Sequence, residues 1–480
     1  MNVKLSDGRT IPIDMHKVKV VQQTTLPPLS RRIKAIEEAG YNTFLLRTRD
    51  VFLDMLTDSG TNAMSDNQLG AMMVADDAYA GGESYYRLQE AVQDVMGFKY
   101  CLPVHQGRAC EHLVARVFIK PGDIQLMNYH FTTSKAHFEM QGGKVIEVFC
   151  DDALQTASDN PFKGNIDLDK LQANIAKHGA ERISFVRMEA TTNLIGGQPF
   201  SLTNLKAVRE IARTHGIPVI IDCSLISENA YMIKQRDSAY ADWSIADIVR
   251  EMMAQADLIY MSGRKSTCAR GGLVATSNAE YHRKLSEWLP VFEGFLTYGG
   301  MSSKEVEAMA VGLREMTDVE AASASVDLIA FLVDLMVKRG IPAVTPPGGL
   351  AGHVDAMRFC SHIPQKEYPA GALVTAFYIV SGVRGMERGT VSSERDENGE
   401  DIPSDLELVR LAVPRRVYSM AHMEYVVDRL AWLYEHRELI GGLKFVQEPP
   451  ALRFFIGRLA PIGDWGQKLA AAFKADFGDM

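Results

Sequence analysis

Within the 480 residues, no uninterrupted apolar stretch approaches the ~20 residues that a bilayer-spanning helix needs. The opening segment, MNVKLSDGRT, has a lysine but no apolar run behind it, so a secretory signal is not expected. No run of basic residues occurs. With net charge −9 and pI about 5.8, nucleic acid and anionic membranes are poor partners. There is no CxxC pair. The six cysteines, at 101, 110, 150, 223, 268 and 360, are scattered, which argues against a zinc site or a disulfide framework and fits a reducing cytoplasm. Internal repeats and low-complexity tracts are also missing. What remains is a chain with 46% hydrophobic residues, ordinary for a globular protein and enough for a large core.

Residues 1–25 show little periodicity and read as an extended arm, a segment that in an oligomer often reaches a neighbour. A helix follows over about 30–39, then irregular chain to Thr57-Asp58-Ser59-Gly60. From about 65 to 280 strands alternate with helices. Glu83–Met96 reads as a helix with Leu88, Ala91, Val92 and Val95 on one face, closed by Gly97. Strands are expected at Tyr100–Val104, Ile124–Met127, Lys144–Phe149, Ile183–Met188, Ile217–Asp222 and Leu258–Met261. Helices are expected after His105-Gln106-Gly107-Arg108, over Thr203–His215 and over about 242–254. Short apolar strands between helices indicate an α/β fold with a mostly parallel sheet covered on both faces. A single long helical stretch is expected over 303–339, then mixed strands and helices. Residues 393–403 (SERDENGEDIP) read as an exposed acidic loop.

In an open α/β sheet, ligands bind beyond the carboxyl ends of the strands, and three motifs fall there. Asp222 ends the run IPVIID. A carboxylate there can keep the ring nitrogen of a pyridine cofactor protonated, so that the ring absorbs the electrons of a substrate carbanion; taken alone, it reads rather as an ordinary turn or helix cap. Met261-Ser262-Gly263-Arg264-Lys265 follows another strand. Lys265 can form an imine with an aldehyde cofactor such as pyridoxal 5'-phosphate (PLP), with Ser262 and Arg264 flanking its phosphate. Alone it is also a surface basic pair; the spacing of Asp222 and Lys265, one helix and one strand apart, strengthens both readings. Gln106-Gly107-Arg108 opens a helix and can make an anion site at its positive end. Phe131 could stack on the ring, or belong to the core. Asn193, before Gly196-Gly197-Gln198-Pro199, could contact the cofactor's ring oxygen or a substrate carboxylate, or simply build a turn.

These motifs, in this order, resemble the β-eliminating lyases, the PLP enzymes that include tyrosine phenol-lyases and tryptophanases. The segments carrying the likeness include LTDSGTNAMSD (56–66), DDAYAG (76–81), HQGR (105–108), TTNLIGGQP (191–199), MSGRK (261–265), GMERG (385–389) and LVRLAVPRRVY (408–418). The resemblance implies the aspartate-aminotransferase-like PLP fold (fold type I). It implies an N-terminal arm over 1–25, a large PLP-binding domain over 65–310, and a small domain over 311–480 joined by residues 26–64. It assigns Lys265 as the imine lysine, Asp222 as the pyridinium partner, and Gln106, Gly107, Arg108, Ser262 and Arg264 as the phosphate cradle. Phe131 would stack on the ring. Thr57, Ser59, Asn193 and Arg410 would surround the substrate's α-carboxylate, which suits a bidentate arginine. Tyr79 would protonate the leaving ring carbon in a neighbouring subunit's site, which requires a homo-oligomer, a dimer or a tetramer.

Thr132, Arg388 and Phe454 match the tyrosine phenol-lyase pattern, in which threonine and arginine meet the phenol hydroxyl. The implied reaction is cleavage of tyrosine, or a modified tyrosine, to a phenol, pyruvate and ammonia. A lyase of the same scaffold acting on an S-substituted cysteine or a tryptophan-like amino acid is the alternative, and a catalytically silent PLP-binding protein a more distant one. The chain departs from the family pattern in three places. Leu225 stands where an arginine is expected, Ser266 where an aspartate is, and the stretch after Lys265 is one residue short and carries Arg270. In the family this stretch helps bind a monovalent cation such as K+, for which Gly60 and Asp77 are the candidates here.

Overall fold

A computed structural model describes all 480 residues. At its centre is a seven-stranded sheet. Its order is Tyr100–Val104, Gly272–Thr276, Leu258–Ser262, Val219–Asp222, Ile183–Glu189, Ile124–Met127 and Lys144–Glu147. Only Gly272–Thr276 runs antiparallel to its neighbours. Successive strand residues point to opposite faces, and both faces are apolar. Val219 and Ile221 join the core on one side, whereas Ile220 joins the cluster on the other.

Local chemistry explains the helix ends that frame this sheet. Gly97 closes the helix Glu83–Met96 in the left-handed conformation at φ 80°, donating its N–H back to Val92 and Gln93. Ser302 and Glu305 form a capping box at the start of Ser303–Glu315. A second sheet of three antiparallel strands, Ala351–Asp355, Leu408–Ala412 and Met386–Arg388, lies in the carboxyl-terminal part. Its core also takes side chains from 29–56, and Leu53–Asp54 pairs in parallel with Val383–Arg384. No helix is long and apolar enough to cross a membrane.

Two expectations need correction, and one helix was not expected at all. The stretch 303–339 is two helices, Ser303–Glu315 and Val319–Lys338, separated by a turn in which Asp318 is the amino-terminal cap residue of the second. Residues 1–25 are not wholly extended. Asn2–Lys4 and Thr10–Pro12 form a small hairpin, and the terminal ammonium group lies 2.9 Å from the buried Asp327 carboxylate. Finally, a helix at Ile226–Arg236, directly after Asp222, had no periodic signal. Its residues from Ile226 to Ile233 are all buried, so no polar stripe marks a face.

Gly312 shows how the helices hold the site. The helix Ser303–Glu315 crosses the turn after Lys265 so closely that a Cβ at Gly312 would lie 2.2 Å from the Thr267 carbonyl oxygen and 2.6 Å from Gln68 Nε2. Gln68 Nε2 itself donates to that carbonyl at 2.8 Å. Gly312→Ala should therefore destabilise the protein by about 1–3 kcal/mol through overpacking. Urea unfolding checks this, and an unchanged midpoint would refute the close approach.

Candidate active site

A cavity of about 270 Å³ opens where the strands of the large sheet end and the small sheet faces them. Its floor is Asp222, the last residue of its strand. Asp222 Oδ1 accepts the Ser224 N–H at 3.0 Å, and Oδ2 accepts Arg187 Nη2 at 2.8 Å. Arg187 is fully buried and donates further to the Tyr260 hydroxyl at 2.7 Å and to Glu189 Oε2 at 3.2 Å. Burial opposes its charge, yet Tyr260, Glu189 and Asp222 together hold its pKa above the usual arginine value.

The turn after Leu258–Ser262 delivers Lys265, whose Nζ lies 5.3 Å from the centroid of the Phe131 ring. Phe131 caps the helix Thr132–Met140. The Lys265 backbone is clamped from below. Asn62 Nδ2 donates to its carbonyl at 2.9 Å, and Ser266 Oγ donates to Glu228 Oε2 at 2.6 Å. Arg415 pairs with Glu228 and donates to the Ser266 carbonyl at 2.6 Å. Ser266 thus anchors the turn to a buried ion pair.

Beside the lysine lies an anion cradle. The helix Gly107–Phe118 starts from Gln106, whose side chain makes no cap, so the first N–H groups have no intrahelical acceptor. Only glycine fits at 107, because a Cβ there would meet Ser262 Cβ at 2.8 Å. Ser262, Arg108 and Arg264 complete the rim. Burial, then the nearby Arg270 and Arg108, hold the Arg264 pKa below its usual value, and its Nε is buried without a partner.

The opposite wall comes from the small sheet and the last third of the chain. Arg388 Nη1 donates to Thr132 Oγ1 at 3.3 Å, and the guanidinium carbon lies 5.7 Å from the Phe131 ring and 5.8 Å from the Phe454 ring. Burial first, then Arg410, pull the Arg388 pKa well down. Arg410 donates to Asn193 Oδ1 at 3.0 Å and to the Leu56 carbonyl at 2.7 Å, and burial pulls its pKa down to about 10. The Nε atoms of both arginines lack partners. Thr57 and Ser59 line the same space, and the Ser59 N–H donates to Thr57 Oγ1 at 3.1 Å. Leu225 is part of the wall and packs with Leu350, Ala351 and Ala412.

Three candidates fall outside the cavity. Tyr79 is 74% exposed, stacked on Phe295 with ring centroids 5.9 Å apart. Asp77 shares its exposed segment. Gly60 lies behind the cradle, donating its N–H to the Arg264 carbonyl at 2.8 Å. Conversely, the cavity contains Glu111, Glu189, Tyr260 and Phe44, which motif reading missed. Burial pushes both Glu111 and Glu189 up to about 7; Thr133, donating to Glu111 at 2.6 Å, works against its shift. The available signal was an arginine and a glutamate inside the apolar strand sequence ISFVRME.

Residues 54–429 match the family model described as "Beta-eliminating lyase". The tyrosine phenol-lyase of Symbiobacterium sp. (strain SC-1) is 45% identical over 449 residues, covering 93% of this chain and 98% of the relative. That of Pasteurella multocida (strain Pm70) is 42% identical over 455 residues, covering 94% and 99%. Among solved structures, Sphingomonas wittichii serine palmitoyltransferase superposes with a TM-score of 0.57 at 11% identity, covering 81% of this chain and 88% of that one. The chain belongs to the β-eliminating lyase family of PLP-dependent enzymes and has the aspartate-aminotransferase-like fold of PLP fold type I.

Proposed function

We propose that this chain is a carbon–carbon lyase that cleaves tyrosine, or a ring-modified tyrosine, to a phenol, pyruvate and ammonia. The observation that carries this is the pairing of the buried Arg388 with Thr132, in the same cavity as Lys265 and Asp222.

The residues fit PLP. The uncapped helix start at Gly107, with Gln106, Arg108, Ser262 and the unpartnered Nε of Arg264, would hold a phosphate. Lys265 would hold the aldehyde carbon, Asp222 the ring nitrogen, Asn193 the ring oxygen and Phe131 a ring face. When bound, PLP supplies an aldehyde for the substrate amine and a protonated ring that delocalises the charge left by the α-proton.

The chain's own groups do the rest. Arg410, with Thr57, Ser59 and Asn193, receives the α-carboxylate; its buried, unpartnered Nε favours an anion there. The Lys265 amine, or a group near it, would take the α-proton. Arg388 and Thr132 orient the phenol hydroxyl, and Phe454 packs against the ring. Tyr79, exposed in its own protomer, would protonate the leaving carbon in the site of a neighbouring copy, so the enzyme would be a homodimer or homotetramer. Asp77 lies on the same segment and would reach that site too, which is where a monovalent cation such as K+ would sit with the Gly60 carbonyl. The proposed division is an arm (1–25), a large domain (65–310) and a small domain (311–480 with 26–64); residues 29–56 share the small-domain core, while Leu313, Met316, Ala322 and Val326 still pack with the large one. Six free cysteines fit a cytoplasmic location. Leu225, where an arginine is expected, would free space beside the ring for a bulkier, ring-modified tyrosine; here it packs with Leu350, Ala351 and Ala412.

Two outcomes test this reading. Lys265→Ala should abolish turnover and the covalent cofactor link. Borohydride reduction of the wild-type holoenzyme should label Lys265 on peptide mapping, and a label on any other lysine contradicts the assignment. Arg388→Ala should lower kcat/KM for tyrosine by about 10²–10³, as loss of a transition-state donor does. Cleavage of an S-alkyl cysteine, whose thiolate leaves unaided, should change only a few-fold; equal losses on both substrates would refute the role.

A further inference from the structure

Ile183–Glu189, Val219–Asp222 and Leu258–Ser262 are parallel neighbours, and their register sets Glu189, Asp222 and Tyr260 abreast. Two carboxylates side by side on adjacent strands repel one another. Arg187, two residues back on the same face as Glu189, lies under both. Its Nη2 is 2.8 Å from Asp222 Oδ2, and both Nη atoms are 3.2 Å from Glu189 Oε2. Its Nε is committed to the Tyr260 hydroxyl at 2.7 Å, so the guanidinium is fixed in place. The proposed reaction uses Asp222 but gives Arg187 and Glu189 no task. Stability alone is a weak reason for the whole set, because a buried ion pair is often no better than apolar residues of the same volume.

We infer that Arg187 and Glu189 are positioning residues that set how tightly Asp222 holds the proton on the cofactor's ring nitrogen, Arg187 drawing on the Asp222 carboxylate and Glu189 offsetting Arg187. The inference rests on the reading that PLP binds with its ring nitrogen at Asp222. One cation and two carboxylates leave a net single negative charge, which one protonated ring nitrogen neutralises. Burial and Asp222 raise the Glu189 pKa, but Arg187, Lys265 and the Asn193 N–H favour its charged form, and its bonds are those of a carboxylate: Oε1 accepts the Asn193 N–H at 3.1 Å, and Oε2 accepts Arg187.

The other titratable groups facing Asp222 are Glu111 and Cys110 on the helix Gly107–Phe118, Cys223 next in the chain, and Tyr260 on the adjacent strand; Lys265 lies across the cavity. Burial pushes Cys110, Cys223 and Tyr260 far up, so they stay neutral. Glu111 is bonded to Thr133 rather than to Arg187. Glu111 also acts through space on Asp222 and Arg187 but is the same in every variant, so Glu189 is the one carboxylate besides Asp222 that is hydrogen-bonded to Arg187.

The test uses the full chain reconstituted with PLP labelled with 15N in the ring, following the ring-nitrogen chemical shift against pH. Glu189→Gln leaves Arg187 unopposed, and the midpoint for loss of the ring proton should fall by about 1–3 pH units, the effect of one nearby charge. Arg187→Met should raise it. The double variant restores the net charge and should return close to wild type. A merely structural role would not move the two single variants in opposite directions. A folded, PLP-loaded Glu189→Gln protein with an unmoved or raised midpoint overturns the inference. If that variant does not fold, an unmoved or lowered midpoint in Arg187→Met does so. Failure of the wild-type chain to take up PLP at Lys265 would instead overturn the reading beneath it, and the inference with it.

Discussion

The parallel register of three strands is the constraint on which the cavity depends. Because Ile183–Glu189, Val219–Asp222 and Leu258–Ser262 run in one direction, their carboxyl ends reach the same level. Each then turns into a segment that supplies the site: Asn193 after the first, Ser224 and Leu225 after the second, Arg264 and Lys265 after the third. Glu189 and Asp222, brought abreast, require a shared cation, which Arg187 supplies from beneath. A one-residue slip between the two strands would turn Asp222 to the opposite face relative to Arg187 and leave the arginine only its same-strand carboxylate, Glu189.

The small sheet closes this floor with positive charge. Arg410 sits opposite Met386 in the antiparallel pair, and Arg388 lies two residues further along the same strand. Both arginines are buried, and Arg410 lowers the pKa of Arg388. Two buried guanidinium groups in one cavity, each with an unpartnered Nε, are suited to a ligand that brings a carboxylate and a phenolic oxygen. Below Lys265, the Arg415–Glu228 pair and Ser266 fix the lysine's backbone, so the movable part of the turn is its side chain.

Much of this was legible in the sequence. Tyr100–Val104 and Ile124–Met127 are compact apolar runs between turn residues, and the strands have those limits. The cavity gathers Lys265, Asp222, the Gln106-Gly107-Arg108 turn, Arg388, Thr132, Arg410 and Phe454, residues named from motifs and from family likeness. The helix Ile226–Arg236 was hidden because it is buried on nearly all sides, and periodicity needs a polar face. Nothing at Met316-Thr317-Asp318 resembles a glycine or proline break, so two helices read as one. Arg187 and Glu189 were missed for a different reason: a charge within a strand has meaning only once the neighbouring strand and its register are known. The role proposed for Tyr79 requires a second copy of the chain, which no property of the single chain places.

The central claim is a β-elimination that releases a phenol and leaves pyruvate and ammonia. The most direct measurement incubates the PLP-loaded enzyme with tyrosine, and with tyrosines substituted on the ring, and quantifies every product. The account predicts the corresponding phenol, pyruvate and ammonia in equal amounts from at least one of them. An oxo acid that retains the aromatic ring, formed without free ammonia, would contradict it, as would pyruvate from S-substituted cysteines alone.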